Sequence, residues 1–96
     1  MKFEIKTTNI FLEQVKRLRE NDKKIIKDKI ELLKQNPYRF KRIHSKRFSR
    51  VFRVRLNVSG KEMRLIYVLL APNIIIVCLI ERKNDYKDLE KYLEKI

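Results

Sequence analysis

The 96-residue chain has no tryptophan, one glycine, one histidine, one cysteine and two prolines. A single cysteine, Cys78, excludes an internal disulfide. It lies in Ile74-Ile75-Ile76-Val77-Cys78-Leu79-Ile80 and reads as a small buried apolar residue, which fits a reducing, cytoplasmic setting. No Cys/His/Asp cluster has ligand spacing, so neither a metal nor a cofactor is expected, and the lone His44 reads as a solvated loop residue. The N-terminus has no apolar signal core. The longest apolar stretch, Leu65 to Ile80, is interrupted by Pro72-Asn73 and falls short of the roughly 20 residues that a membrane helix needs. The expectation is a soluble protein with no membrane partner.

The most informative absence is of acid. From Leu32 to Lys61 there are ten Lys or Arg and no Asp or Glu. Residues 1–31 carry nine bases against six acids, and residues 62–96 carry six against six. Most of the formal net charge of +13 therefore sits in thirty residues. A solubilising surface disperses its charge; charge this concentrated is the footprint of a polyanion, nucleic acid ahead of membrane lipid.

Ninety-six residues make one domain, 1–96, able to bury roughly 60–65% of its unfolded surface around a single core. Lys2 to Lys6 alternates and reads as a strand. Thr7, Thr8 and Asn9 are capping residues ahead of Phe11, Val15 and Leu18, the stripe of a first helix. Asn21-Asp22 offers a second cap, and Ile26, Ile30 and Leu33 repeat the spacing up to Asn36, where Pro37 ends the helix. Residues 37–48 have no clean period and read as a basic loop. Its Tyr38, Phe40 and Phe48 either stack on unpaired nucleotides or anchor the loop to the core. Arg39, Lys41, Arg42, Lys46, Arg47 and Arg50 are the candidate RNA-docking cations.

Three strands follow, at 50–58, 61–70 and 74–81. If Ser59-Gly60 is a two-residue hairpin turn, Val58 pairs with Lys61. Leu56 then faces Met63, Val54 faces Leu65 and Phe52 faces Tyr67, all on one side; a slip by one residue would scatter these sets. The same register puts Arg55 opposite Arg64 with Arg53 nearby. Such a pairing is destabilising unless the charges splay into water or hold an anion. Strand 74–80 is apolar on both faces and is expected at the centre of the sheet. Asn84 or Asp85 caps a last helix with the stripe Leu89, Leu93, Ile96. The expected fold is α+β in the order β-α-α-β-β-β-α. It has a mostly antiparallel four-stranded sheet, two N-terminal helices packed on one face, and a short C-terminal helix.

This order of elements resembles the RelE/ParE toxin superfamily. So do Phe52-Arg53-Val54-Arg55-Leu56, the Ser-Gly turn, Met63-Arg64-Leu65-Ile66-Tyr67, the ending Glu81-Arg82-Lys83-Asn84-Asp85-Tyr86, and the approach Asn36-Pro37-Tyr38-Arg39-Phe40-Lys41-Arg42-Ile43. The resemblance spans nearly the whole chain. It implies one of two activities, cleavage of mRNA in the ribosomal A site by 2′-hydroxyl attack on the adjacent phosphate, or poisoning of DNA gyrase. Both are neutralised by a cognate antitoxin in a hetero-oligomeric complex. Arg53, Arg55, Arg64, Arg82 and Tyr86 match the RelE-like catalytic positions, which favours the endoribonuclease over the ParE-like gyrase inhibitor and over a non-catalytic RNA- or ribosome-binding module. The chain departs from the pattern by having arginine at 53 and 55, where many relatives have lysine, and Glu81 where relatives often have histidine. Arginine binds phosphate in bidentate fashion but is a poor proton acceptor. Glu81 and Glu62 are the candidate general bases; each alternatively forms an ion pair.

Overall fold

A computed structural model describes residues 2–81 and 88–96. Strand β1 (Glu4–Thr7) leads into helices α1 (Asn9–Lys16) and α2 (Glu20–Gln35). Strands β2 (Lys41–Ile43), β3 (Val51–Val58), β4 (Lys61–Leu70) and β5 (Asn73–Glu81) follow, and α3 (Leu89–Leu93) comes last. The five strands form one sheet in the order β1-β5-β4-β3-β2, antiparallel except for β1, which runs parallel to β5. The fold is therefore α+β, as the pattern predicts, but the sheet has five strands rather than four, and the central strand is β4 rather than the most apolar one, β5.

The extra strand is β2, drawn from the segment that reads as a loop. Three residues are too few to show a period, and what makes them a strand is the open edge of β3, where Lys41, Arg42 and Ile43 pair with Arg53, Phe52 and Val51. The second cap also differs. Helix α2 begins before Asn21-Asp22, with Arg19 at its N-cap, and Asp22 turns inward instead of capping. Its carboxylate accepts the Ser59 backbone N–H at 3.1 Å and the Ser59 hydroxyl at 2.5 Å, which ties the start of α2 to the tip of the β3–β4 hairpin. Those two bonds, the hydroxyl first, hold the Asp22 carboxyl below its ordinary value of 3.8.

The hairpin register agrees with the pattern residue by residue, from Val58 opposite Lys61 to Val51 opposite Val68. Ser59 and Gly60 both take positive φ, 51° and 77°, as a tight turn matched to the twist of its strands requires. Val58, Leu56, Val54 and Phe52 face α1 and α2 along with Leu65, Tyr67 and Leu69, in the larger core cluster. Phe52 stacks on Tyr67 with centroids 5.2 Å apart, and the Tyr67 hydroxyl donates to the Pro37 carbonyl at 2.5 Å, fixing the chain where it leaves α2.

Helix α1 also closes an edge. Strand β1 covers β5 only as far as Ile76. Beyond it the Thr8 hydroxyl, which caps α1 by accepting from Phe11 N–H, donates to the Val77 carbonyl at 2.6 Å. The Gln14 side-chain amide then completes the edge, donating to the Leu79 carbonyl at 2.9 Å and accepting its N–H at 2.7 Å. Polar side chains thus stand in for a missing strand and leave these buried backbone groups satisfied.

Candidate functional site

The opposite face of the hairpin carries the charge. Alternation sends Val51, Arg53, Arg55 and Asn57 of β3 to this side, facing Val68, Ile66, Arg64 and Glu62 of β4. The apolar members nearest the loop join a second cluster: Val51, Ile66, Val68, Val77, Cys78 and Ile80 pack with Leu89 and Leu93 of α3, and Phe48 of the loop leans on them. Of the expected C-terminal stripe, Leu89 and Leu93 are buried while Ile96 is exposed. Towards the hairpin tip the same face turns cationic.

Arg53 and Arg64 are 7% and 8% exposed, whereas Arg55 is open to solvent. Arg55 stands directly across the ladder from Arg64. Nη1 of Arg53 is buried with no hydrogen-bond partner among the described residues. A buried guanidinium N–H without an acceptor is costly, and turning the side chain outward to an anion in this row would satisfy it. Glu62, opposite Asn57, is a carboxylate of β4 on this face and lines a cleft with Arg55, Leu56, Asn57, Ile25 and Lys29. Glu81 is not brought to it. It pairs in register with Met63, whose side chain belongs to the helix face, and its carboxylate meets Lys61 Nζ at 3.6 Å. Sequence spacing cannot reveal this, because Glu81 lies next to Ile80, which is on the arginine face, and one residue is enough to change sides. Arg82 and Tyr86 lie outside the described residues.

The six docking cations divide. Arg42 donates from Nε to the Ser49 carbonyl at 2.7 Å, bracing the loop from within. The Arg47 guanidinium pairs with Glu94 at 3.2 Å and the Lys46 backbone N–H donates to Glu90, so α3 holds this part of the loop. Arg39 lies over the Phe40 ring and Arg50 over the Tyr38 ring, at 5.2 and 5.7 Å. Phe40 meets Tyr67 edge-on and Phe48 joins the second cluster, so these two aromatics anchor the loop; Tyr38 is 50% exposed. Lys41 differs from the rest because β2 sets it beside Arg53, on the arginine face. Its place could not be read without β2.

Among the described residues no group of His, Cys, Asp and Glu is arranged to hold a metal, and no helix is long and apolar enough to cross a membrane. Burial pushes the Cys78 thiol up to about 12, leaving it a packed, unreactive sulfur at neutral pH.

No protein-family model matches the chain, and no curated protein does. Among solved structures it is similar to a doubly substituted Escherichia coli toxin RelE in the free state. That match has a TM-score of 0.72 at 14% identity and covers 100% of this chain and 99% of that one. It is also similar to the intact E. coli RelBE toxin–antitoxin complex, with a TM-score of 0.63 at 16% identity, covering 84% of this chain and 96% of that one. The chain has a RelE-like fold.

Proposed function

We propose that this chain is a RelE-like toxin acting as a ribosome-dependent mRNA endoribonuclease, held in check in the cytoplasm by a cognate antitoxin. The observation that carries the reading is the row of arginines on one face of a RelE-like sheet, with one guanidinium N–H buried and lacking an acceptor among the described residues. Arg55 and Arg64 grip the scissile phosphate and stabilise the charge that grows on it. Arg53 completes the cradle. Glu62, a carboxylate of β4 on that face, accepts the proton of the attacking 2′-hydroxyl. Arg82 supports the departing 5′-oxygen and Tyr86 stacks on a base. A message held in line by the ribosome gains much of its acceleration from positioning, so a modest base suffices.

The antitoxin fits a second surface. Phe11, Leu12 and Val15 line an apolar groove on α1 whose rim carries Glu13, Lys16 and Lys23, suited to the apolar face of an amphipathic helix. The proposal is tested by adding the chain to a translation extract and mapping message 5′ ends. Cuts within translated codons that vanish when ribosomes are omitted are the expected result; intact messages under excess protein would overturn it.

The burial of Arg53 and Arg64 favours one second reading, a non-catalytic RNA- or ribosome-binding module in which Arg55 makes the principal phosphate contact. It predicts that Arg55→Ala lowers the salt dependence of RNA binding by roughly 0.7 to 0.9 in slope, with no cleavage to lose. A supercoiling assay with purified gyrase separates the gyrase-inhibitor alternative.

A further inference from the structure

Arginine stays protonated through the physiological range, so the arginine row can bind a phosphate but is poorly suited to handing a proton to a leaving group. The fold supplies one amine to this row from outside the hairpin. Strand β2 pairs Lys41 with Arg53, and directly opposed residues share a face with Cβ atoms about 4.5–5.5 Å apart. Phe40, one residue earlier, belongs to the helix-side core, as alternation requires if Lys41 points to the arginine side. Lys41 is exposed, and no hydrogen bond or ion pair occupies its side chain among the described residues. Arg39, Arg42, Arg47 and Arg50, by contrast, are each engaged by an aromatic ring, a carbonyl or a carboxylate.

The arrangement along the face has a direction. Glu62 lies level with Asn57 and Lys41 level with Arg53, and the Arg55–Arg64 pair falls between them. Four residues of strand, about 13 Å, and two strand spacings, about 10 Å, set the two backbone positions about 16 Å apart, a gap that a lysine and a glutamate reaching inward narrow to a phosphate and its flanking oxygens. An in-line displacement needs its base and its acid on opposite sides of phosphorus, with the charge-stabilising groups at the middle.

We infer that Lys41 is the general acid of this site, delivering a proton to the 5′-oxygen that leaves when the 2′-hydroxyl attacks. The inference rests on the endoribonuclease reading and assigns the proton that reading leaves without a donor. The O2′–P bond forms and the P–O5′ bond breaks. The 2′-hydroxyl proton passes to the Glu62 carboxylate, and one ammonium proton of Lys41 passes to O5′. The products are a 2′,3′-cyclic phosphate and a 5′-hydroxyl; nothing is oxidised or reduced, and exchange with water resets both side chains.

The test is single-turnover cleavage on programmed ribosomes with two messages. One is ordinary, and the other carries sulfur in place of the bridging 5′-oxygen at the cut site. A thiolate leaves without protonation, so it does not need the acid. Lys41→Ala is expected to cut the ordinary message about 10²-fold more slowly, and the sulfur-bridged message within about threefold of the parent, in line with the range seen for lost acid catalysis. Lys41→Arg is expected to keep parental RNA affinity yet remain slow on the ordinary message. Three outcomes overturn the inference: parental rates for Lys41→Ala, an equal defect on both messages, or full rescue by Lys41→Arg. Each of these leaves the endoribonuclease reading standing. A parental chain that cuts neither message removes both.

Discussion

The two faces of the β3–β4 hairpin are made from alternate residues of the same two strands, yet they obey opposite rules. On the helix side Phe52, Val54, Leu56 and Val58 meet Leu65, Tyr67 and Leu69 in a closed core under α1 and α2. On the other side the strands start apolar, under α3 and Phe48, and become cationic towards the tip, with Arg53, Arg55 and Arg64 side by side. Like charges facing across a ladder are unfavourable, and so is a guanidinium N–H buried without an acceptor among the described residues. Burial on the helix side offsets both. The lesson is a division of labour at single-residue resolution: even-numbered positions of β3 hold the fold, and Arg53 and Arg55 belong to the proposed site.

Substitutions on each face test that division. The largest effect should come from the closed side. Leu65→Ala removes a side chain with no exposure and is expected to destabilise the fold by about 2–5 kcal/mol in chemical denaturation. The counterpart on the open side is Arg55→Ala, which should leave the melting temperature near that of the parent. It should also cut cleavage of ribosome-bound message about 10²- to 10³-fold, or ~3 kcal/mol of transition-state stabilisation. If Arg55→Ala unfolded the protein, or Leu65→Ala left its stability intact, the division would fail. Tyr67→Phe sharpens the comparison within the helix side, since it keeps the ring stacked on Phe52 and deletes only the bond to Pro37. A loss of about 1–2 kcal/mol is expected, without change in RNA cleavage.

The smallest effect is pH-dependent and belongs to the tip where the faces meet. Because the Asp22 carboxyl is held below its ordinary value, its bonds to Ser59 stabilise the fold fully above pH 3.8. That contribution disappears as the pH falls through the lower folded value. Asp22→Asn should therefore be less stable than the parent at neutral pH, with the two converging in acid. A constant difference down to the acid limit would show that the carboxylate charge does not matter to the latch.

Much of this was legible before the fold was known. The hairpin register could be read because Ser59-Gly60 marks the turn, and a one-residue slip would part Phe52, Val54 and Leu56 from Tyr67, Leu65 and Met63. Thr8 was legible as a cap and Pro37 as a stop. Other features had no local signal. Gln14 reads as an ordinary helix-surface residue, yet it completes the edge of β5. Asp22 looks like a cap and is a latch, because the hairpin tip arrives beside it from far along the chain. Glu81 looks like a base beside the arginines, and alternation turns it to the other face with Lys61.

What the sequence determined by itself is a two-faced hairpin in one register: the alternation of arginines and apolar residues excludes a one-residue slip, and the Ser59-Gly60 turn fixes the rest. Tertiary structure decided which charges share that face. Lys41 joined it because β3 had an open edge and β2 filled it, while Arg47 was drawn to Glu94 at the C-cap of α3. Pairing across strands depends on where distant segments dock, and no window of local sequence contains that information.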